Sequence, residues 1–239
     1  PAEPYATALR RDPGRLRVAV TAANPLGVEP PPEALDGVRR AAEILQGLGH
    51  AVEEAAPPFP SAEVLDAFID VFGPLIALGI ESTVKIRGRE PAADEIEPLS
   101  RAVLEKARAT PALSYMATLT ELQALARRIV GFFASYDVLL TPALGARPLE
   151  IGVCHGMGDE PLRDLSRSGL FTPYTSLFNV TGQPAIAVPV DLAEDGLPVA
   201  VQLVGRPLAE DRLLQLARQL EYANPWAHRR PEPPPSGGA

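Results

Sequence analysis

The chain is 239 residues long and 46% hydrophobic, enough to bury a substantial core without disulfide support. Its net charge of -8 and the scattering of its Arg pairs, at 10–11, 39–40, 127–128 and 229–230, argue against a nucleic-acid partner, which would require a basic face. The single cysteine, Cys154, cannot form an internal bridge, and no secretory apolar segment opens the sequence, so a reducing cytoplasm is the expected location.

Residues 15–21, RLRVAVT, alternate charged and apolar side chains before a β-rich run and predict a strand, followed by turn chemistry in NPLG at 24–27. From Pro31 the spacing Leu35, Val38, Ala42, Leu45, Leu48 is helical, and Gly49 supplies the C-terminal stop. HAVEEA, from His50, then predicts a second strand. The three together make a strand–helix–strand unit suited to parallel pairing. Further helices are expected over 61–78, 94–109 and 111–135. In the last of these, Leu113, Met116, Leu119, Leu122, Leu125, Ile129 and Phe132 recur at helical spacing and predict a core-facing stripe, with Pro111 in the first turn. The most apolar run, Val71 to Ile80, is half the about 20 residues that a bilayer crossing needs and contains Gly73 and Pro74, so no membrane span is expected.

Residues 136–142, YDVLLTP, have the continuous apolar centre of a strand buried on both faces, stopped by Pro142. The Gly- and Pro-containing stretch 143–173 reads as a connection, and the Thr/Ser/Asn-rich segment up to Gly182 reads as a loop feeding a buried strand. PAIAVPV at 184–190 and LPVAVQLVG at 197–205 flank DLAEDG, whose Asp195-Gly196 pair signals an antiparallel hairpin. Residues 209–223 predict a final amphipathic helix with Glu210 and Asp211 in its first turn, where acidic groups suit the helix dipole. The expected fold is one α/β domain over 1–223, a mixed β-sheet with helices packed on both faces, followed by a disordered Pro- and Gly-rich tail over 224–239.

His50, His155 and His228 are far apart and no CxxC or HExxH spacing occurs, so no metal ligation is expected. Cys154 and His155 are adjacent, and neighbours in an extended loop point apart rather than forming a nucleophile–base pair. Neither GxGxxG nor GxxxxGK[ST] is present, so no cofactor is expected, and the serines stand without a GxSxG elbow. The residues by themselves describe an α/β domain with a polar loop at a strand end and no visible catalytic machinery.

TSLFNVTGQPAIAVPV, followed by GLPVAVQLVGRPLAEDRLLQLARQLE, resembles the C-terminal signature of the amidase signature family of hydrolases. YDVLLTPALG resembles the preceding strand of that family, and DPGRLRVAVTAANPLG with LGHAVEEAAPPFP resembles the stretch after its catalytic core. The resemblance runs from Pro1 to about Trp226 in the family's order, and Pro1 in place of an initiator Met accords with a piece of a longer protein.

The resemblance implies hydrolysis of a carboxamide by a Ser–Ser–Lys triad that lies in the family's N-terminal half. No triad residue carries over, because Lys85 and Lys106 fall in the variable helical region after the core. It implies substrate-pocket roles for Thr141 and Pro142 at a strand end and for Thr175, Phe178 and Asn179 in the loop, each of which could equally be capping or turn chemistry. The implied partners are a small amide substrate bound together with an N-terminal half, and self-association or pairing with that half. A glutamyl-tRNA amidotransferase A-type subunit and a non-catalytic interaction module are the alternatives.

Overall fold

A computed structural model of the chain describes residues 3–59 and 64–230. A five-stranded mixed sheet runs in the order β2-β1-β3-β5-β4. Its strands are β1 (Arg17–Val20), β2 (Ala51–Glu54), β3 (Val138–Pro142), β4 (Ala185–Leu192) and β5 (Pro198–Gly205). β1 pairs in parallel with β2 and with β3, while β5 pairs antiparallel with β3 and with β4. The β1–β2 pair is joined through α2 (Pro32–Gly47), as the strand–helix–strand reading requires. The β4–β5 hairpin closes through Ala193–Leu197 backbone bonds around Gly196, whose φ of 81° fits the Asp-Gly signal.

Because successive side chains of a strand point to opposite faces, each strand feeds two cores. Val18, Val138, Leu140, Val201 and Leu203 lie under α2 and α8 (Glu210–Ala223). Ala19, Leu139 and Val204 lie under α3 (Val64–Arg87), α5 (Ala112–Phe132) and α7 (Ser176–Thr181). Helices therefore cover both faces of the sheet, and β3, central in the order, is buried along its whole length.

The differences from expectation have local causes. The buried face of α2 is Ala34, Gly37, Val38, Ala41 and Leu45, whereas Leu48 ends the helix and is 40% exposed. α3 runs on to Arg87, and α4 (Pro98–Ala109) starts at a Pro rather than at Asp94. Over Ala67–Arg87, α3 is long and apolar enough to cross a membrane by length and composition alone, which a count of uninterrupted apolar residues does not reveal. In this fold it packs on α4 and α5 and carries ion pairs from Asp70 to Lys106, Glu81 to Arg108 and Arg87 to Glu95. Along α5 only Leu122, Leu125 and Ile129 are buried. Leu113 and Met116 are 82% and 53% exposed, since none of the described residues covers that end of the stripe.

Two helices occupy segments that read as loop: α6 (Pro161–Phe171) and α7. A short α1 (Tyr5–Ala8) packs on α8, where Gln215 donates to the Ala8 carbonyl at 2.9 Å. The start of the expected tail is also ordered. Asn224 donates to the Val190 carbonyl at 2.7 Å and accepts from Arg40 at 3.2 Å, and Trp226 packs on the core, while 231–239 lie outside the described residues.

Candidate functional site

β3 ends at Thr141 and Pro142, both buried. The Thr141 hydroxyl donates to the Pro142 carbonyl at 2.9 Å and accepts from the Gln202 amide of neighbouring β5 at 3.2 Å. The same Gln202 nitrogen donates to the Tyr174 carbonyl at 3.2 Å. Tyr174 is itself buried, and its hydroxyl donates to the Ala22 carbonyl at 2.9 Å, beyond the end of β1. Burial pushes the Tyr174 phenol up from its ordinary range, which keeps it a neutral donor. This polar chain ties the ends of β1 and β3 and the middle of β5 to the segment that leads into α7. A polar residue inside the apolar run of β5 was the available signal for Gln202, and its alternation with Val201 and Leu203 places it on the α7 side.

α7 is a helix rather than a loop because burial overrides the turn-forming character of its Thr, Ser and Asn residues. Leu177 and Phe178 are 1% and 4% exposed and join the core with Leu139 and Val204, so the helix is anchored by its apolar side. Gly182 ends it in the left-handed conformation at φ 68°, where its N–H bonds the Phe178 carbonyl at 2.9 Å. Gln183 then donates to the Gly205 carbonyl at 2.6 Å, which fixes the exit into β4.

With its apolar side buried, α7 turns Thr175, Ser176 and Asn179 toward a cavity of about 300 Å³ between α3, α4, α6 and α7. The opposite wall is Phe68, Phe72, Gly73, Ile76 and Val103, and α6 supplies Leu165, Ser166, Ser168 and Gly169. The rings of Phe68 and Phe72 stack with centroids 4.3 Å apart. Of the five residues expected to form a pocket, Thr175 and Asn179 reach this cavity, while Thr141, Pro142 and Phe178 lie in the packing behind it. The α3 and α6 walls were not anticipated. Pro161 opening an apolar spacing of Leu162, Leu165 and Gly169 was the signal for α6, hidden in a Gly- and Pro-rich stretch.

The remaining candidates have structural roles. His50 Nδ1 accepts the Leu16 N–H at 3.1 Å, so Nε2 carries the hydrogen and donates to Gln219 at 3.0 Å. His155 Nδ1 accepts the Met157 N–H at 2.9 Å, which turns its ring to its own backbone, and Cys154 is exposed. Lys106 pairs with Asp70 at 2.9 Å. Burial raises the Asp137 carboxyl, but bonds from the Arg17 side chain and backbone and the Arg206 charge outweigh this and hold it below the usual carboxylate range.

The fold has counterparts among known proteins. The amidase family model matches residues 1–214. The 6-aminohexanoate-cyclic-dimer hydrolases of Pseudomonas sp. (strain NK87) and of Paenarthrobacter ureafaciens are each 34% identical over 237 residues, covering 96% of this chain and 48% of those proteins. A solved structure of 6-aminohexanoate cyclic dimer hydrolase complexed with substrate superposes with a TM-score of 0.85 at 34% identity, over 97% of this chain and 50% of that one. A bacterial aryl acylamidase, at 20% identity and a TM-score of 0.75, shares the fold. This chain thus spans about half the length of the relatives it matches. It belongs to the amidase (amidase signature) family, of which it represents a C-terminal part.

Proposed function

We propose that this chain is the pocket-bearing part of a carboxamide hydrolase whose attacking serine, relay serine and lysine are supplied by an N-terminal half. The observation that carries this reading is the 34% identity over 237 residues to a 6-aminohexanoate-cyclic-dimer hydrolase, a match that spans 96% of this chain, including α6 and α7 beside the cavity. Thr175 and Asn179 contact the substrate, while Thr141, Pro142 and Phe178 hold the wall that presents them. The exposed thiol of Cys154 suits a reducing compartment such as the cytoplasm.

The test is turnover of a panel of aryl and aliphatic amides by the chain alone and by the chain co-expressed with the N-terminal half of an amidase. The chain alone should show none, because loss of a serine nucleophile costs on the order of 10⁶ in kcat. The paired protein should be active. Turnover by the pure chain that disappears on mutating one of its own serines would overturn the assignment. In the paired protein, Asn179→Ala should lower kcat/KM by about tenfold, the loss of one oriented polar contact of about 1.4 kcal/mol. Asn224→Ala should lower stability through the lost Val190 bond and leave kcat/KM unchanged. Equal kinetics for the two variants, both folded, would return Asn179 to a purely structural role.

A further inference from the structure

We infer that the α3–α4–α6–α7 cavity selects an uncharged amide with an apolar body, and that Phe68, Phe72 and Ile76 set this selectivity. The inference rests on the reading of this chain as the pocket-bearing part of an amidase and names the substrate class of that pocket. Its walls are chemically divided. α7 contributes hydroxyl and amide groups from Thr175, Ser176 and Asn179, and α3 contributes the stacked rings of Phe68 and Phe72 with Ile76 beyond them. A ligand that matches both sides places its amide against α7 and its hydrocarbon along α3.

Charge is the discriminating feature. Among the described residues, none that lines the cavity is Asp, Glu, Lys or Arg. Described charged groups on the surrounding helices pair with each other, Asp70 with Lys106 at 2.9 Å, Glu81 with Arg108 at 2.6 Å, and, beside the α6 wall, Asp164 with Arg167 at 4.0 Å. A ligand ammonium or carboxylate entering here would lose water and meet no counter-charge, which costs far more than the contacts of a few methylenes return. The volume, about 300 Å³, sits at the small end of the about 300–1,000 Å³ typical of small-molecule sites and suits a single six-carbon or aryl amide. Free glutamine, with an ammonium and a carboxylate on one carbon, is the wrong ligand for such walls, which separates this pocket from one that serves a glutamine-dependent amidotransferase.

The experiment is a ligand-observed NMR titration of this chain with probes of similar size: hexanamide and benzamide as neutral amides, 6-aminohexanamide as a cation, adipamate as an anion, and L-glutamine. The two neutral amides should compete for one site and bind at least about tenfold tighter than the three charged probes. Ile76 is 52% exposed at the cavity wall, so Ile76→Glu places a carboxylate there at little cost to folding, and circular dichroism checks that it stays folded. That variant should bind 6-aminohexanamide about tenfold tighter than the wild type does and lose affinity for hexanamide. Equal binding of all probes, binding of none, or an unchanged preference in folded Ile76→Glu each overturns the inference. Its failure is separable from that of the parent reading. A paired protein that hydrolyses amides while the chain binds no neutral probe keeps the amidase assignment and rejects this pocket, and selective binding without turnover in the paired protein does the reverse.

Discussion

Replacing Gly145 by Ala should destabilise the chain by about 1–3 kcal/mol and, in the paired protein, reduce amide turnover by up to about 100-fold. Gly145 follows β3 at the point where the backbone passes under the C-terminal end of α6. A Cβ there would stand 2.6 Å from Pro173 Cγ, 2.8 Å from Pro173 Cδ and 2.9 Å from the Leu170 carbonyl oxygen. A proline ring and a peptide oxygen cannot rotate aside as the end of a flexible side chain could. The segment from Leu170 to Pro173 has to shift, and the bond from the Gly145 N–H to the Phe171 carbonyl, 3.0 Å, lengthens with it. That segment leads through Thr172 into Thr175, both on the cavity wall, so a backbone displacement of about 1 Å is passed directly to the pocket. Gly131→Ala is the matched control, since its added Cβ would have nothing within 4 Å and it sits inside helix α5, where Ala is favoured. Urea unfolding and kcat/KM on both variants check the pair. Wild-type values for Gly145→Ala would mean that Pro173 has room to retreat, and the proposed rigidity of this wall would fall.

The legibility of this fold in its sequence follows the range of the interactions involved. The β1–α2–β2 unit and the β4–β5 hairpin were readable because each is specified locally, by a helical stripe with a Gly stop and by an Asp-Gly turn. β3 was readable as doubly buried because its apolar run is continuous. α7 was not, since Thr, Ser and Asn favour turns, and the forces that make it helical are the contacts of Leu177 and Phe178 with strands distant in sequence. The α5 stripe shows the opposite failure. Periodicity marks Leu113 and Met116 as one side of a helix, but it carries no information on whether anything covers that side. The candidate site divides the same way. Thr175 and Asn179 were found through their segment, whereas Phe68, Phe72 and Ser168 come from helices that meet α7 only in the folded chain.

The largest change in solution behaviour should appear when the chain is studied without a partner: it should self-associate or bind a hydrophobic dye. β4 is an edge strand of eight residues, paired only with β5, so its outer backbone groups face away from the sheet. Exposed edges of this kind template pairing with further strands. Beside that edge, Ile186, Val188, Leu214, Tyr222 and Trp226 line an open apolar groove toward α8, and on the other side of the sheet Ala185 and Ala187 are exposed. Leu113, Met116, Leu75 and Ile86 add uncovered apolar surface on α5 and α3. Contiguous patches beyond a few hundred Å² are characteristic of interfaces or of aggregation-prone surfaces. The net charge of -8 opposes association, so raising the salt concentration, which screens that repulsion, should increase it. Light scattering should report a mass above the 25.4 kDa of one chain, falling toward it when an N-terminal half is co-expressed and covers the edge. Ala187→Lys, a charge placed on the exposed face of the edge strand, should reduce the association without unfolding the protein, because Ala187 is exposed and its neighbours in β4 and β5 keep their own packing. A stable monomer at high concentration that binds no dye would instead mean that this sheet edge needs no further strand, and the pairing with an N-terminal half would lose its physical basis.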